Sequence, residues 1–75
     1  MTVAEAVGLY GVSNALVNNG DTLTSVCRRL YKTDDDLHIG ILKALNVRYD
    51  WDCMEPGTTI VFLEPENVDG ISEIW

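Results

Sequence analysis

The sequence predicts a small α+β domain in which a helix pair packs on a two-stranded antiparallel sheet, in the order strand, helix, helix, strand. Two segments have the apolar spacing of helices, and two short apolar runs are bordered by turn residues. The chain has 75 residues, of which 47% are apolar, so it can form one modest core. We therefore expect one domain.

The first strand and first helix are predicted around a turn. The run Asn14-Ala15-Leu16-Val17 ends at Asn18-Asn19-Gly20-Asp21, a sequence with strong turn propensity. Thr22 is then well placed to cap a helix, and Asp21 suits the positive end of its dipole. The apolar residues that follow have the i, i+3, i+4, i+7 spacing of a helix lying on a core: Leu23, Val26, Cys27 and Leu30.

A second helix is predicted from about residue 35 to residue 45. Aspartates 34–36 lie at its N-terminus, where negative charge is favourable, and they lack the alternating ligands of a calcium loop. Gly40 lies inside this helix, which indicates either a close neighbour or a locally weak helix. The predicted inner face consists of Leu37, Ile41, Leu42 and Leu45.

The remainder of this unit is a connector, a turn and a strand. The connector, residues 47–53, carries Tyr49 and Trp51. Glu55-Pro56-Gly57-Thr58 has proline and glycine where a type II turn favours them. The β-branched and aromatic run 59–63 predicts a buried strand that Glu64-Pro65 ends.

Charge excludes one class of function and restricts another. A net charge of −7 has the wrong sign for a protein that binds nucleic acid by neutralising phosphates. All five cationic residues lie between positions 28 and 48, whereas from Asp50 onward every charge is negative. This acidic end either is solvated or faces a basic partner surface.

The sequence contains no arrangement typical of an enzyme or a metal site. His38 is the only histidine, and the nearest approach to paired carboxylates is Asp50 and Asp52 around Trp51. We therefore predict no enzymatic activity, no cofactor and no metal. Neither an export signal nor a membrane span is recognisable, which predicts a protein that is made in the cytoplasm. Free cysteines are expected there, with a Cys27–Cys53 bridge as the alternative.

Several of these motifs together resemble the LysM domain over about residues 14–65. They are Gly20-Asp21-Thr22-Leu23, the helical Val26-Cys27 with Leu30-Tyr31, the ending Ile41-Leu42-Lys43-Ala44-Leu45-Asn46, and Pro56-Gly57-Thr58 with Ile60. Within that superfamily the chain is most similar to phage tail protein X, which also tends to end in a hydrophobic, tryptophan-containing tail like Ile71-Ser72-Glu73-Ile74-Trp75.

The resemblance implies a LysM-like βααβ domain in the virion, assembled in the host cytoplasm. It would be a structural component of a contractile tail or related injection particle, at the baseplate or hub. Its partners would be other tail proteins of the hub, tube or wedge, in several symmetric copies. Nucleic acid and membrane are not expected as partners.

The alternative function is that of a glycan-binding LysM module. LysM relatives that bind peptidoglycan or chitin use a shallow groove between the first turn and the connector after the second helix. The corresponding residues here are Asp21, Thr22, Leu23, Asn46 and Trp51. Trp51 is either a stacking platform for a sugar ring or a lid on the core. Thr24 and Val47 replace an aromatic and a proline that are common in this family, which favours the structural function.

The two ends, residues 1–13 and 66–75, are predicted to be extended arms. They are too apolar for solvated disordered tails, so they need a surface to cover. We expect them to bind neighbouring proteins, with Trp75 folded back on the domain's own core as the alternative. On this hypothesis a chain ending at Glu64 would fold but not join the particle. The predicted partner-binding residues are Leu9, Tyr10, Val68, Ile71, Ile74 and Trp75.

Overall fold

The computed structural model describes residues 1–74 and has an α+β architecture, as the sequence predicts. Two strands form one antiparallel sheet, and the elements between them run in the predicted order, strand, helix, helix, strand. The elements are α1 (Val3–Tyr10), β1 (Ser13–Leu16), α2 (Leu23–Tyr31), α3 (Asp36–Leu45), β2 (Thr59–Phe62) and α4 (Pro65–Val68).

The sheet is buried on one face only. Ser13 pairs with Phe62 and Leu16 with Thr59, so β1 and β2 are matched over their full length. Along each strand the more buried side chains alternate with more exposed ones, as expected when one face covers a core and the other faces solvent. Ile60 is a fully buried member of the core face, whereas Leu16 projects from the open face.

Helix α2 begins as predicted at Thr22. The Thr22 hydroxyl accepts a hydrogen bond from the Ser25 backbone N–H at 3.1 Å, and the Ser25 hydroxyl accepts one from the Thr22 N–H at 2.8 Å. Of the predicted apolar stripe, Val26 and Cys27 are fully buried. Tyr31 adds to this face, and its buried hydroxyl donates a 2.8 Å hydrogen bond to the Leu63 carbonyl.

Helix α3 begins one residue later than predicted, because Asp35 is its N-terminal cap and accepts a hydrogen bond from the His38 N–H at 2.9 Å. Ile41 is fully buried, but Leu37, in the first turn, is 36% exposed, so its predicted place in the core is wrong. Gly40 has a close neighbour, one of its two predicted explanations. A Cβ there would lie 3.2 Å from Cδ1 of Ile74.

The turn before β2 is confirmed. Gly57 has a φ of +87°, a conformation that glycine adopts without a steric penalty, and the Thr58 N–H donates to the Glu55 carbonyl at 3.2 Å. The Gly57 N–H also donates to the Val17 carbonyl at 2.8 Å, which connects the turn to the end of β1. The second strand therefore begins at Thr59, as the sequence predicts.

The expectation of an extended N-terminal arm is wrong, because residues 3–10 form helix α1. Thr2 and Glu5 make a capping box in which each side chain accepts a hydrogen bond from the other residue's backbone N–H. Val3 and Ala6 are buried on the inner side of the helix, whereas Leu9 and Tyr10 at its end are exposed. The chain's N-terminal helix is thus part of the domain.

The C-terminal segment also packs on the domain instead of extending away from it. After the short helix α4, residues 72–74 run alongside residues 1–3, with Thr2 and Glu73 forming a parallel bridge. The Ser72 N–H donates to the Met1 carbonyl at 3.0 Å, and the Val3 N–H donates to the Ile74 carbonyl at 3.2 Å. The two chain ends, which are far apart in sequence, therefore pair with each other in the fold.

One hydrophobic core includes both the central unit and the terminal segments. No helix within residues 1–74 has the length and apolar character needed to cross a membrane. The buried core residues are Val3, Ala6, Val17, Val26, Cys27, Tyr31, Ile41, Leu42, Ile60, Phe62, Leu63, Val68 and Ile71.

Candidate functional site

A groove of about 630 Å³ lies between the start of α2 and the connector that follows α3. These are the two segments that the glycan-binding alternative places together. Three of its five predicted residues line the groove. The lining residues are Thr22, Leu23, Thr24, Lys43, Tyr49, Asp50, Trp51 and Asp52.

The aromatic wall of the groove is held by the connector. The Trp51 ring packs edge-on against Tyr49, with the ring centroids 4.9 Å apart. The Thr58 hydroxyl donates to the Glu55 carbonyl at 2.7 Å, so the Tyr49 hydroxyl must be the donor in its own 2.9 Å bond to Thr58. The connector is therefore tied to the turn that precedes β2.

Trp51 is shared between the core and the groove. It packs against the core and lines the groove at the same time. Its indole N–H is buried, and no acceptor within residues 1–74 is in hydrogen-bonding range of it. An unpaired buried donor of this kind costs about 1–3 kcal/mol. The ring therefore contributes to stability through its apolar contacts.

Asp21 supports the groove from outside its wall. Its carboxylate accepts hydrogen bonds from Arg29 Nη1 and from the Asn18 N–H, both at 2.8 Å, and from the Ser25 hydroxyl at 3.0 Å. The adjacent guanidinium, followed by the Asn18 N–H, holds the pKa of Asp21 below its ordinary value. The carboxylate is thus engaged within the chain and fixes the 18–21 turn to α2.

Asn46 also has a structural position, outside the groove. Its side-chain oxygen accepts from the Val61 N–H at 2.8 Å, and its amide donates to the carbonyls of Val61 at 2.8 Å and Leu42 at 2.9 Å. It lines a separate hollow of about 400 Å³ beside Tyr49. Asn46 therefore closes the outer edge of β2 instead of facing the groove.

The predicted partner-binding residues divide into two groups. Val68 and Ile71 are only 3% and 5% exposed, so in this conformation they fill the chain's own core and present no surface to a partner. Ile74 is half-buried against Gly40. Trp75 lies outside the described residues. Leu9 and Tyr10 are 68% and 52% exposed and remain accessible.

Four of the six exposed large apolar side chains within residues 1–74 fall in one stretch, which we call the 9–16 segment. It runs from the end of α1 through β1. No charged residue occurs between Glu5 and Asp21, so the segment is also uncharged. The four side chains are Leu9, Tyr10, Val12 and Leu16.

The described residues contain no cluster of histidine, cysteine and acidic side chains that could hold a metal ion. His38 Nδ1 lies 2.6 Å from a carboxylate oxygen of Asp35, the residue that caps the start of α3. Burial raises the pKa of the Cys27 thiol to about 11. Cys53 is an exposed free thiol, so the alternative of a Cys27–Cys53 bridge is wrong.

Sequence reasoning missed Val12 and Leu16 as surface residues. Leu16 lies in the predicted apolar strand. Because its neighbours Ala15 and Val17 are also apolar, the sequence does not indicate which face of the strand meets the core. The signal for α1 was present, because Thr2 and Glu5 have capping-box spacing ahead of the apolar pair Val3 and Ala6. That signal predicts a helix that begins at Val3, and Gly11, with a φ of +72°, ends it after Tyr10 at the start of the 9–16 segment.

The chain was compared with known proteins. No family model matches it. Searches of curated proteins and of solved structures likewise return no significant match.

Proposed function

We propose that this chain is a structural component of a contractile phage tail or related injection particle. It would be a LysM-like adaptor at the baseplate or hub that joins neighbouring tail proteins. The proposal takes its context from the resemblance over residues 14–65 and its contact surface from the 9–16 segment. Both terminal arms were expected to make these contacts, but the inner parts of the arms are used within the fold.

The observation that carries the proposal is the exposure of uncharged, apolar side chains in the 9–16 segment. The chain has 17 charged residues out of 75, yet none lies between positions 5 and 21. Leu9 and Tyr10 are accessible at the end of a helix whose inner side is fixed in the core. Tyrosine is one of the residues that most often dominate the energy of protein interfaces, and Leu9 beside Tyr10 adds apolar contact area.

The fold supports an adaptor more directly than an enzyme. The groove holds two exposed aspartates, Asp50 and Asp52, and within residues 1–74 neither forms an ion pair. Asp21 and Asn46, the polar residues with the richest hydrogen bonding near the groove, are engaged within the chain. What the molecule presents outward is an acidic surface with one uncharged apolar stretch.

Incorporation into particles tests the proposal. The double variant Leu9→Asp with Tyr10→Asp places charge on exposed sites in the last turn of α1, and circular dichroism checks that it remains folded. We expect its recovery with sedimented tail particles to fall at least about tenfold, the effect of losing one strong interface contact. Val47→Asp is the control, because Val47 is 73% exposed and lies outside the segment. Equal incorporation of the wild-type chain, the double variant and Val47→Asp would refute the proposal.

Glycan binding is the second candidate function, and one observation favours it. Thr22, Leu23 and Trp51, which the resemblance assigns to a sugar-binding groove, do line one groove. A sugar would stack on the exposed part of Trp51 between the two aspartates. The net charge of −7 opposes binding to anionic cell-wall polymers.

Co-sedimentation with purified peptidoglycan separates the two functions. Thr24 is an exposed groove residue near the start of α2, so Thr24→Glu adds bulk and negative charge to the groove without disturbing the core. Glycan binding predicts that the wild-type chain sediments with peptidoglycan and that Thr24→Glu abolishes this. The adaptor function predicts that neither protein sediments and that both still enter particles.

A further inference from the structure

We propose that the outer edge of β1 pairs, antiparallel and around Asn14, with the β1 edge of a second copy of this chain. This inference rests on the proposed function and deepens it. It assigns a partner and a mode of pairing to the 9–16 segment.

The backbone hydrogen bonds show which residues of β1 face outward. The Val17 N–H donates to the Thr58 carbonyl at 2.9 Å, and the Val17 carbonyl accepts from Gly57. Since backbone groups alternate along an antiparallel strand, those of Ala15 and Ser13 also face β2. The groups of Asn14 and Leu16 therefore point away from the sheet.

This outward edge is open. Within residues 1–74, the backbone N–H groups of Asn14 and Leu16 have no hydrogen-bond acceptor on this side. The Leu16 carbonyl accepts one 3.0 Å bond from Arg29 Nη2 and retains a second lone pair. An exposed row of unpaired backbone groups is a template for another strand.

The other edge of the sheet is closed. On β2, both outward groups of Val61 are bonded to the Asn46 side chain at 2.8 Å. Further along, the Leu63 carbonyl accepts the Tyr31 hydroxyl. Strand addition is therefore possible at β1 and blocked at β2.

Charge determines which surface two copies of this chain can share. Two chains of charge −7 repel each other wherever their acidic surfaces meet, so they can approach only through an uncharged surface. The stretch from residue 6 to residue 20 is the longest uncharged stretch of the chain, and β1 lies within it. Antiparallel pairing of two such strands places no like charges opposite each other.

The side chains are self-complementary in one register. When Asn14 opposes its symmetry mate, Val12 of each copy opposes Leu16 of the other. Both residues are exposed, at 45% and 60%, and their even spacing with Asn14 puts them on the same open face. The register thus covers two apolar pairs and stacks two asparagine amides. A two-fold axis through Asn14 makes the interface closed, so it yields a dimer.

A small specific dimer requires only a modest share of the chain's surface. A specific interface buries about 1,200 Å² in total at its lower limit, or about 600 Å² from each copy. That is roughly an eighth of the 4581 Å² accessible surface of this chain. Leu9 and Tyr10, next to the strand in sequence, extend the apolar surface beyond the backbone pairing.

Sedimentation equilibrium on the purified full chain tests the inference. The measurement covers about 1–500 µM protein, the range in which interfaces of this size dissociate. A reducing agent is present because the exposed Cys53 would otherwise cross-link two copies. We expect a monomer–dimer equilibrium whose Kd falls as salt increases, since salt screens the repulsion between two acidic chains.

Two pairs of variants locate the interface. Asn14→Pro removes an outward N–H that β2 does not use, and Asn14→Ala keeps it. Leu16→Lys charges the proposed contact face, and Val47→Lys charges an exposed apolar site elsewhere. We expect Asn14→Pro and Leu16→Lys to raise the dimer Kd about tenfold or more, and both controls to change it less than about threefold. Circular dichroism confirms folding, and Leu16→Lys decides the test if the proline variant unfolds.

Three results would overturn this inference: a monomer at every concentration, a dimer that none of these variants weakens, or an association that salt weakens. Its failure is distinguishable from failure of the proposed function. A monomeric chain that loses particle incorporation through Leu9→Asp with Tyr10→Asp has a different partner at the same segment. A dimeric chain that never enters tail particles refutes the adaptor function and leaves the pairing intact.

Discussion

The central unit, residues 13–63, and the two terminal segments form one core by different means. In the central unit, caps and turns act between residues a few positions apart, such as Thr22 with Ser25 and Glu55 with Thr58. The terminal segments are joined by pairing across some seventy residues, for example between the Met1 ammonium group and the Gly70 carbonyl. An apolar sequence at a chain end therefore indicates that the segment covers a surface. It does not indicate whether that surface belongs to the same chain or to a partner.

This difference changes which apolar residues we expect to contact a partner. Val68 and Ile71 are apolar because they complete the core, whereas Leu9 and Tyr10 are apolar and exposed. A chain that ends at Glu64 would leave the inner side of α1 and the neighbourhood of Gly40 uncovered. We therefore expect such a chain to be destabilised, in contrast to the folded monomer that the sequence suggested.

The largest expected effect comes from replacing one buried isoleucine in each of the two regions. Ile41→Ala in α3 and Ile71→Ala in the C-terminal segment should each lower the free energy of unfolding by about 2–4 kcal/mol, because both create a cavity in the same core. Urea unfolding measures both, with Val47→Ala as an exposed control. A loss below about 1 kcal/mol for Ile71→Ala alone would show that the terminal segments are a satellite of the central unit.

The next test concerns the contact between the Asn46 side chain and Val61, which lie far apart in the sequence of the central unit. Asn46→Ala should cost about 2–3 kcal/mol, because it removes three hydrogen bonds and leaves both outward groups of Val61 unpaired. Asn46→Asp keeps the acceptor for the Val61 N–H but turns a carboxylate oxygen toward the carbonyls of Val61 and Leu42, so we expect a loss at least as large as that of Asn46→Ala. A cost within experimental error for Asn46→Ala would contradict the closed β2 edge.

Two glycines sharpen the comparison at a smaller scale. Gly8 lies inside α1 with open space around its Cα, so Gly8→Ala should stabilise the protein by about 0.5–1 kcal/mol. Gly40→Ala should give no such gain, because the new methyl group would lie 3.2 Å from Ile74 Cδ1. Combining Gly40→Ala with Ile74→Ala should restore the gain relative to Ile74→Ala alone. Equal gains at both glycines would remove the evidence for close packing between the regions.

The smallest expected effect is on pH dependence. Because the folded state lowers the pKa of Asp21, its carboxylate stabilises the protein above its ordinary pKa of 3.8, and this stability is lost as the pH falls through the folded-state value. Asp21→Asn should lower the urea midpoint near neutral pH and reduce its change between neutral pH and about pH 2.5. Asp69→Asn, an exposed aspartate in the C-terminal segment, is the control. An unchanged pH profile for Asp21→Asn would contradict the Arg29 pairing.

The sequence predicted the central unit because its signals are local. Thr22 as a cap, the Val26–Cys27 face and the Gly57 turn all follow from spacing and backbone preference. For Gly40 the sequence left two explanations open, and only the contact with Ile74 decided between them. The helical N-terminal segment had a local signal too, in Thr2 and Glu5, but its apolar content suggested a different interpretation. Of the groove, it was the resemblance to LysM domains that placed Thr22, Leu23 and Trp51 together, and it did not show that Asp21 and Asn46 are engaged elsewhere.

By itself the sequence determined the acidity, the order of the central elements and the residues that begin and end them, since these depend on charge count and neighbouring side chains. Only the tertiary structure decided which apolar residues are buried. Val12 and Ile71 are equally apolar in sequence, yet one is exposed and the other fills the core. The physical reason is that burial depends on what lies opposite in space, and the partners of the chain ends are each other.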